Sequence, residues 1–454
     1  MRVNPNLSTV LLAAGIALAQ AWVPPAWAAD APGVGAGLTP LGAKVAASKD
    51  GMVPKWTGGY LQALAGQDKG YLGANPFPAE KPLYTVTAEN FHKYMNLLSQ
   101  GQVMLLKKYP HSYELNVYPS HRTEAAPAWV YRDTELNLRH GRMVGDVPEG
   151  VYGGVPFPVP RTGAQVMWNH LLRWRGPHVT FAATDYELTP DGAPVLVSVN
   201  QIDQQMPYYF KNGNAQEFAK SGVFWNVFVS TSAPPLRSGQ MIVGATNMDS
   251  SKDLGYVYLP GERRTRQLPN PCCDTPTPAT GNVTTFDEIQ VWTGTLERYD
   301  WKILGKKEMI IPYNDNITNG PANAAEVVGK HFIKPQYERW EVHRVWEVEA
   351  TLKPGKRDQV AKSIYYCDED SWTCVLADRW DSKGNLWRTL SMLTFVDPRD
   401  PGIEDGAFTM NDLLSGTAFI ANLPNKAAGE LVQHDKPFNP SHFTAGAMAA
   451  AGID

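Results

Sequence analysis

From Trp340 to Leu352 the even positions are Trp340, Val342, Arg344, Trp346, Val348, Ala350 and Leu352, while the odd ones are mostly Glu, His or Thr. Successive side chains on a strand point to opposite faces, so this alternation predicts a long strand with one apolar and one polar face. Lys353-Pro354-Gly355-Lys356 turns the chain. Further strands continue up to residue 395, broken at Asp368-Glu369-Asp370-Ser371 and at Ser382-Lys383-Gly384-Asn385. The pattern is that of an antiparallel meander with a single apolar face. Such a face has to be covered by helices, by a second sheet or by an apolar ligand.

The start of the chain reads as an export leader. Arg2 supplies the positive charge, Leu7 to Ala21 the apolar run, and Ala26-Trp27-Ala28 the small-x-small cleavage site. The run is shorter than the ~20 residues a membrane span needs, and Pro24-Pro25 interrupts the chain soon after it. We therefore expect 1–28 to be a signal peptide and 29–454 one elongated domain in the periplasm, exported and soluble or peripheral to the outer membrane. A flexible lead and a polar C-terminal tail are expected at its ends. The formal charge of -4 argues against a nucleic-acid partner, which would call for a basic excess. Fourteen Trp, nineteen Tyr and fifteen Phe supply large apolar surface for a core or a cleft.

The remaining punctuation is coarser. Thr87 caps an expected helix running to Lys108, and 162–174 (TGAQVMWNHLLRW) reads as a second helix. Residues 111–160 are rich in Pro, Tyr and Gly and read as loop. Short strands are expected at 195–199, 223–230, 241–245, 255–259, 263–268 and 306–311. Thr285-Phe286-Asp287-Glu288 is a capping box opening a short helix to Trp292. After Asp397 the expectation is one weak helical stretch at 411–414 and then a polar tail.

Four cysteines sit in a chain bound for an oxidising compartment, which favours disulfides. Cys367 and Cys374 face each other if the hairpin closes around Asp370-Ser371, so Cys367–Cys374 is the favoured bridge. Cys272 and Cys273 are adjacent, and crossed pairing with the hairpin stays open. The spacing is not that of a zinc site.

Signals for chemistry are sparse. There is no GxSxG elbow and no HExxH. The ten His are scattered, and His343 reads as a solvated strand residue. Asp368, Glu369 and Asp370 read as a solvated hairpin tip rather than a calcium site, and Arg263-Arg264-Thr265-Arg266 as an exposed strand face. Arg344 breaks the apolar face. A charge there is costly unless paired, so we expect either an ion pair with a neighbouring Glu or Asp or a cation at the end of a lipid cleft. No catalytic residue, metal or cofactor is expected. The candidate lining of an apolar cleft is Trp340, Val342, Arg344, Trp346, Val348, Ile364 and Tyr366.

Several phrases occur together: LTPLGAKVAASKDGMVPKWTGG at 38–59, PFPAEKPLYTVTAENFHKYMNLLSQGQVMLLKKYP at 76–110, GGVPFPVPRTGAQVMWNHLLRWRG at 153–176, YVYLPGERRTRQLP at 256–269, RWEVHRVWEVEATLKPGKR at 339–357 and DEDSWTCVLADRWDSKGNLWR at 368–388. In wording and order they resemble domain-of-unknown-function family 1329, over nearly the whole mature chain. That resemblance implies the LolA/LolB type of α+β fold: a strongly curved antiparallel sheet, an unclosed half-barrel, with helices against its concave face. It also implies a periplasmic role in moving lipids or other hydrophobic molecules, alongside resistance-nodulation-division (RND) transporters and outer-membrane proteins. The other readings are a non-enzymatic scaffold in such an assembly and, less favoured, a lipid or polyester hydrolase.

Overall fold

The computed structural model describes residues 34–64, 74–269, 271–320, 323–424 and 431–452. The leader at 1–28 and the start of the Gly/Ala-rich lead lie outside these residues. The strands, in chain order, begin with β1 (Tyr84–Val86), β2 (Leu115–Val117), β3 (Arg142–Val144), β4 (Val147–Glu149), β5 (His178–Leu188) and β6 (Pro194–Gln205). They continue with β7 (Val223–Ala233), β8 (Met241–Asn247), β9 (Leu254–Leu259), β10 (Arg264–Gln267), β11 (Tyr299–Pro312) and β12 (Trp340–Leu352). The last are β13 (Val360–Asp368), β14 (Cys374–Asp381), β15 (Leu386–Val396), β16 (Ile403–Asp412), β17 (Ala418–Pro424) and β18 (Val432–Gln433). Three helices matter below: α1 (Gln100–Lys108), α2 (Ala128–His140) and α3 (Gly163–Leu171).

All strands but β3 and β4 join one 16-stranded curved sheet. Its order is β1-β2-β12-β13-β14-β15-β16-β17-β5-β6-β7-β8-β9-β10, with β11 on the other side of β12 and β18 beside β5. The sheet does not close, since β10 ends the order with no further strand partner among the described residues. The meander of 339–395 is present as β12–β15, antiparallel throughout. Its first turn works because Gly355 takes φ 83°, a left-handed value at which a side chain is strained. The structure is thus mainly β with helices, as expected.

Three expectations fail. The C-terminal segment is no tail: β16 and β17 lie in mid-sheet, and β17 pairs with β5, joining the meander to the β5–β10 run. Its polar residues misled because they are buried and paired. Asp405, on β16, meets Arg173 and Arg175. The expected helix from Thr87 breaks into a 3-10 turn at Phe91–Leu97 and α1. A capping box between Ser99 and Gln102 restarts the chain there. The loop read at 111–160 hides α2.

The helices also lie on both faces rather than one. Ser99 and the Gly101 N–H at the start of α1 donate to the Asp378 carboxylate at 3.2 and 3.0 Å. Asp378 pairs with Ile364 across β13–β14, so α1 covers the Ile364 face. At the start of α3, Gly163 approaches the backbone of 301–302 and the Val348 side chain so closely that an added methyl would meet them at 2.8–3.0 Å. Val348 pairs with Tyr365, one residue from Ile364 and therefore on the opposite face. Two large cores result. One holds α1, Trp340, Val342, Ile364 and Tyr366. The other holds α2, α3, Trp292, Val348, Tyr365, Leu390, Met392, Phe408 and Ala421.

Candidate binding site

The α3 face continues from β16 and β17 onto β5–β9, but there the cover is the Pro/Thr-rich segment 268–293 instead of a long helix. Between sheet and cover lies a cavity of ≈ 140 Å³. Its floor is Phe181, Ile202, Trp225, Val227, Val229, Ile242 and Gly244, its cover Leu268, Pro271, Ala279, Phe286 and Ile289, and its inner end Phe408 and Ala421. The floor is the product of period-two alternation: Ile202, Val229 and Ile242 are register neighbours on β6, β7 and β8. Small residues at Gly244 and Thr246, on the floor side of β8, leave space that larger side chains would fill.

Several polar groups at the edge of the hollow are already bonded within the protein. Asp185 accepts from Ser198 at 2.6 Å, from Asn200 at 2.9 Å and from the Asn422 N–H at 2.9 Å. Trp225 donates its indole N–H to Gln204 at 3.2 Å. Asp253 accepts from the Asn247 N–H at 2.7 Å, and burial pushes its carboxyl up to about 7. Walls of this kind offer an entering molecule contact area rather than free hydrogen bonds.

The cover is anchored at both ends. Arg237 donates to the carbonyls of Val197 at 3.0 Å and Pro278 at 2.5 Å. Glu288 is gripped by Arg388 through two bonds of 2.6 and 2.7 Å. Thr285 and Glu288 form the expected capping box, although the helix is only a 3-10 turn, Phe286–Glu288. Cys272 and Cys273 are bridged to each other within the cover, so the crossed pairing is not formed. Cys367 and Cys374 are bridged across β13–β14, as favoured.

The residues singled out from the sequence lie elsewhere. Trp346 pairs with Cys367 and Val348 with Tyr365, whereas Ile364 and Tyr366 occupy the opposite face. Trp340 and Val342 pack in the α1 core. The seven do not line one hollow, and none of them borders the ≈ 140 Å³ cavity. Even numbers on two paired strands need not share a face, and Trp340 and Val342, on the same strand as Val348, pack in a different core from it. Arg344 resolves as the ion pair, with Glu369, and also donates to the carbonyls of Lys44 and Ala46 at 2.9 Å. Trp346 stacks on Trp372, with Lys306 4.1 Å above its ring. His343, Asp368, Glu369 and Asp370 are not solvated; each is at most 3% exposed. By contrast β10 is the exposed basic strand that the sequence predicts.

A second, wider cleft of ≈ 770 Å³ opens among Trp129, Trp174, Tyr209, Lys211, His434 and Lys436. Its walls mix aromatic and charged side chains from loops, so it lacks the continuous apolar lining of the first.

A family model described as "Protein of unknown function (DUF1329)" matches residues 85–449. An uncharacterised Pseudomonas aeruginosa protein, PA3922, is 33% identical over 435 residues, 93% of each chain. Among solved structures, a Vibrio parahaemolyticus domain provisionally named for outer membrane lipoprotein sorting is 12% identical at TM-score 0.44, covering 63% of this chain and 98% of its own. A DUF1329 family protein from Desulfovibrio piger is 13% identical at TM-score 0.39, covering 60% and 92%. A LolA superfamily protein from Nitrosomonas europaea is 13% identical at TM-score 0.36, covering 63% and 100%. No helix among the described residues is long and apolar enough to cross a bilayer.

Proposed function

This chain belongs to the DUF1329 family, and we propose that it is a periplasmic carrier or binding protein for lipids or other hydrophobic molecules, working with an envelope transport system. The observation that carries the reading is the apolar hollow of ≈ 140 Å³ between β5–β9 and the 268–293 cover. A dry apolar cavity of about 150 Å³ admits a benzene-sized molecule. The space therefore suits about six carbons of an acyl chain. At about 0.8 kcal/mol per buried CH₂, they contribute roughly 5 kcal/mol, or between three and four powers of ten in affinity. A longer chain requires the cover to lift. The leader-like first 28 residues support the periplasmic placement. An RND-type transporter and an outer-membrane protein are the expected partners.

The test has two arms. Mature protein purified without detergent is examined by native mass spectrometry for bound lipid, then titrated with a fluorescent fatty acid. We expect micromolar or tighter binding, reduced at least tenfold by Ala279→Trp, which fills the hollow from its cover. Absence of co-purified lipid together with no titratable binding ends the carrier reading and favours the scaffold.

A further inference from the structure

The buried polar cluster at the β12 and β13–β14 turn has a feature that the carrier reading does not use. His343, Asp368 and Asp370 each present a ligand-type atom, and these atoms all lie within 4.8 Å of one another. They come from two places in the chain. His343 stands on β12, whereas Asp368 and Asp370 belong to the turn closed by the Cys367–Cys374 bridge.

The orientation of the imidazole is fixed. Glu341, which accepts from Arg339 at 2.6 Å and from Asn314 at 3.0 Å, also accepts the His343 Nε2–H at 3.0 Å. A carboxylate only accepts, so Nε2 carries a proton, and Nδ1 is the ring atom left to take a second proton or a metal ion. That Nδ1 faces Asp368 Oδ1 at 3.6 Å, and neither atom has a hydrogen-bond partner although both are fully buried. At 3.6 Å the two do not hydrogen-bond to each other. Such a facing pair in a dry interior needs a positive charge between its atoms, a proton or a metal ion.

No neighbouring Lys or Arg supplies it. Asp370 is held by Arg122 through two bonds of 2.6 and 2.8 Å. Glu369 is held by Arg344 and by Lys306, and Glu341 by Arg339. Among the described residues, no Lys or Arg lies within ion-pair distance of Asp368. Its other oxygen, Oδ2, is oriented by the Asp370 N–H, the Ser371 N–H and the Ser371 hydroxyl at 2.8–3.1 Å.

We propose that His343 Nδ1, Asp368 Oδ1 and the Asp370 carboxylate bind a divalent cation of the zinc type. A metal about 2.0–2.2 Å from both Nδ1 and Oδ1 would subtend an angle of roughly 120° across their 3.6 Å separation, within reach of tetrahedral geometry. One imidazole nitrogen with carboxylate oxygens suits zinc better than the all-oxygen sets of calcium or magnesium. Glu341 behind the imidazole and Ser371 behind Asp368 are the outer hydrogen bonds that orient such ligands. The Tyr313 hydroxyl, also buried without a partner, belongs to a ring 4.0 Å from that of His343. The three ligand residues are at most 3% exposed, so the ion enters as the chain folds and leaves only when the turn opens. The cation is structural: it pins the turn to β12, over the part of the sheet that carries no hollow.

The test uses the whole mature chain with its disulfides intact. The protein is unfolded in guanidinium with EDTA, freed of chelator and refolded with either ZnCl2 or EDTA. Metal content is then read by mass spectrometry of the element after gel filtration. We expect about one zinc per chain and a higher Tm for the zinc-refolded sample. His343→Gln and Asp368→Asn should each weaken zinc retention by about 10–100-fold. Refolding with Co2+ should give the visible absorption of a four-coordinate site. Wild-type protein that refolds but retains under a tenth of an equivalent of zinc, with the same Tm in both samples, overturns the proposal. So does zinc held equally by His343→Gln. The wild-type arms decide the matter even if a variant fails to fold, and they are independent of lipid binding.

Discussion

The β12–β15 run and the β5–β9 run belong to the same sheet and follow the same alternation, yet one is solid and the other is hollow. Over β12–β15, α3 lies on one face and α1 on the other, and large rings such as Trp292, Tyr365 and Trp372 fill the remaining space. Over β5–β9 the cover is an irregular segment, and β8 offers Gly244 and Thr246 where the meander has aromatic side chains. Alternation therefore decides only which side chains share a face. Whether that face is plugged depends on side-chain volume and on what the chain lays across it. The aromatic rings that read as a lipid-binding surface fill that part together with rings brought from other segments.

The contrast between solid and hollow is most vulnerable at the joint of the two runs. Arg173 and Arg175 both point at Asp405, and all three side chains are at most 6% exposed. Burial alone would raise the Asp405 carboxyl, but the two guanidinium groups hold it at about 2. Asp405→Asn leaves two buried cations without their anion. We expect a loss of about 3–5 kcal/mol in urea unfolding. A change below about 1 kcal/mol would mean that the joint is not rigid.

Next comes a matched pair of truncations. Leu390→Ala in the solid part should cost about 2–5 kcal/mol, because the lost contacts leave a new cavity. Ile242→Ala on the floor of the hollow only enlarges an existing space. It should cost less than half as much and shift binding toward bulkier fluorescent ligands. Equal losses in chemical denaturation would show that both parts are packed alike.

The last expected effect concerns pH. Burial lifts the Asp253 carboxyl to about 7 from its ordinary 3.8. Between those two values the folded protein holds a proton that the unfolded chain has released. Stability from this group therefore falls as pH rises from about 4 to about 7 and levels off above. Asp253→Asn should match the parent at pH 4 and be the more stable at pH 8, by at most ~4 kcal/mol for a shift of this size. A flat difference across that range would refute the assignment.

Much of the meander was legible because its signals are local. Alternation, Gly355 and the Cys367–Cys374 spacing each act over a few residues, and so does the Thr162 cap of α3. The central place of β16 was not, since its polar residues look solvated until Arg173 and Arg175, more than two hundred positions earlier, are brought to Asp405. The same holds for the acidic turn at 368–370, whose partner Arg122 is equally remote. The hollow was hidden for a different reason. Its walls are ordinary strands, and its best sequence signal is a pair: small residues on β8 and a Pro/Thr-rich segment long enough to cross them.

An unfinished sheet exposes a row of unpaired backbone groups, which another chain can extend. One such row belongs to β10, four residues long, with Arg264 and Arg266 exposed on it and Arg263 just before it. A second molecule approaching rim to rim would bring like charges together. The basic fringe thus acts as a guard against stacking into fibrils. It allows the rim to stay ungirdled, so the circumference is not locked by strand number and stagger as it is in a sealed barrel.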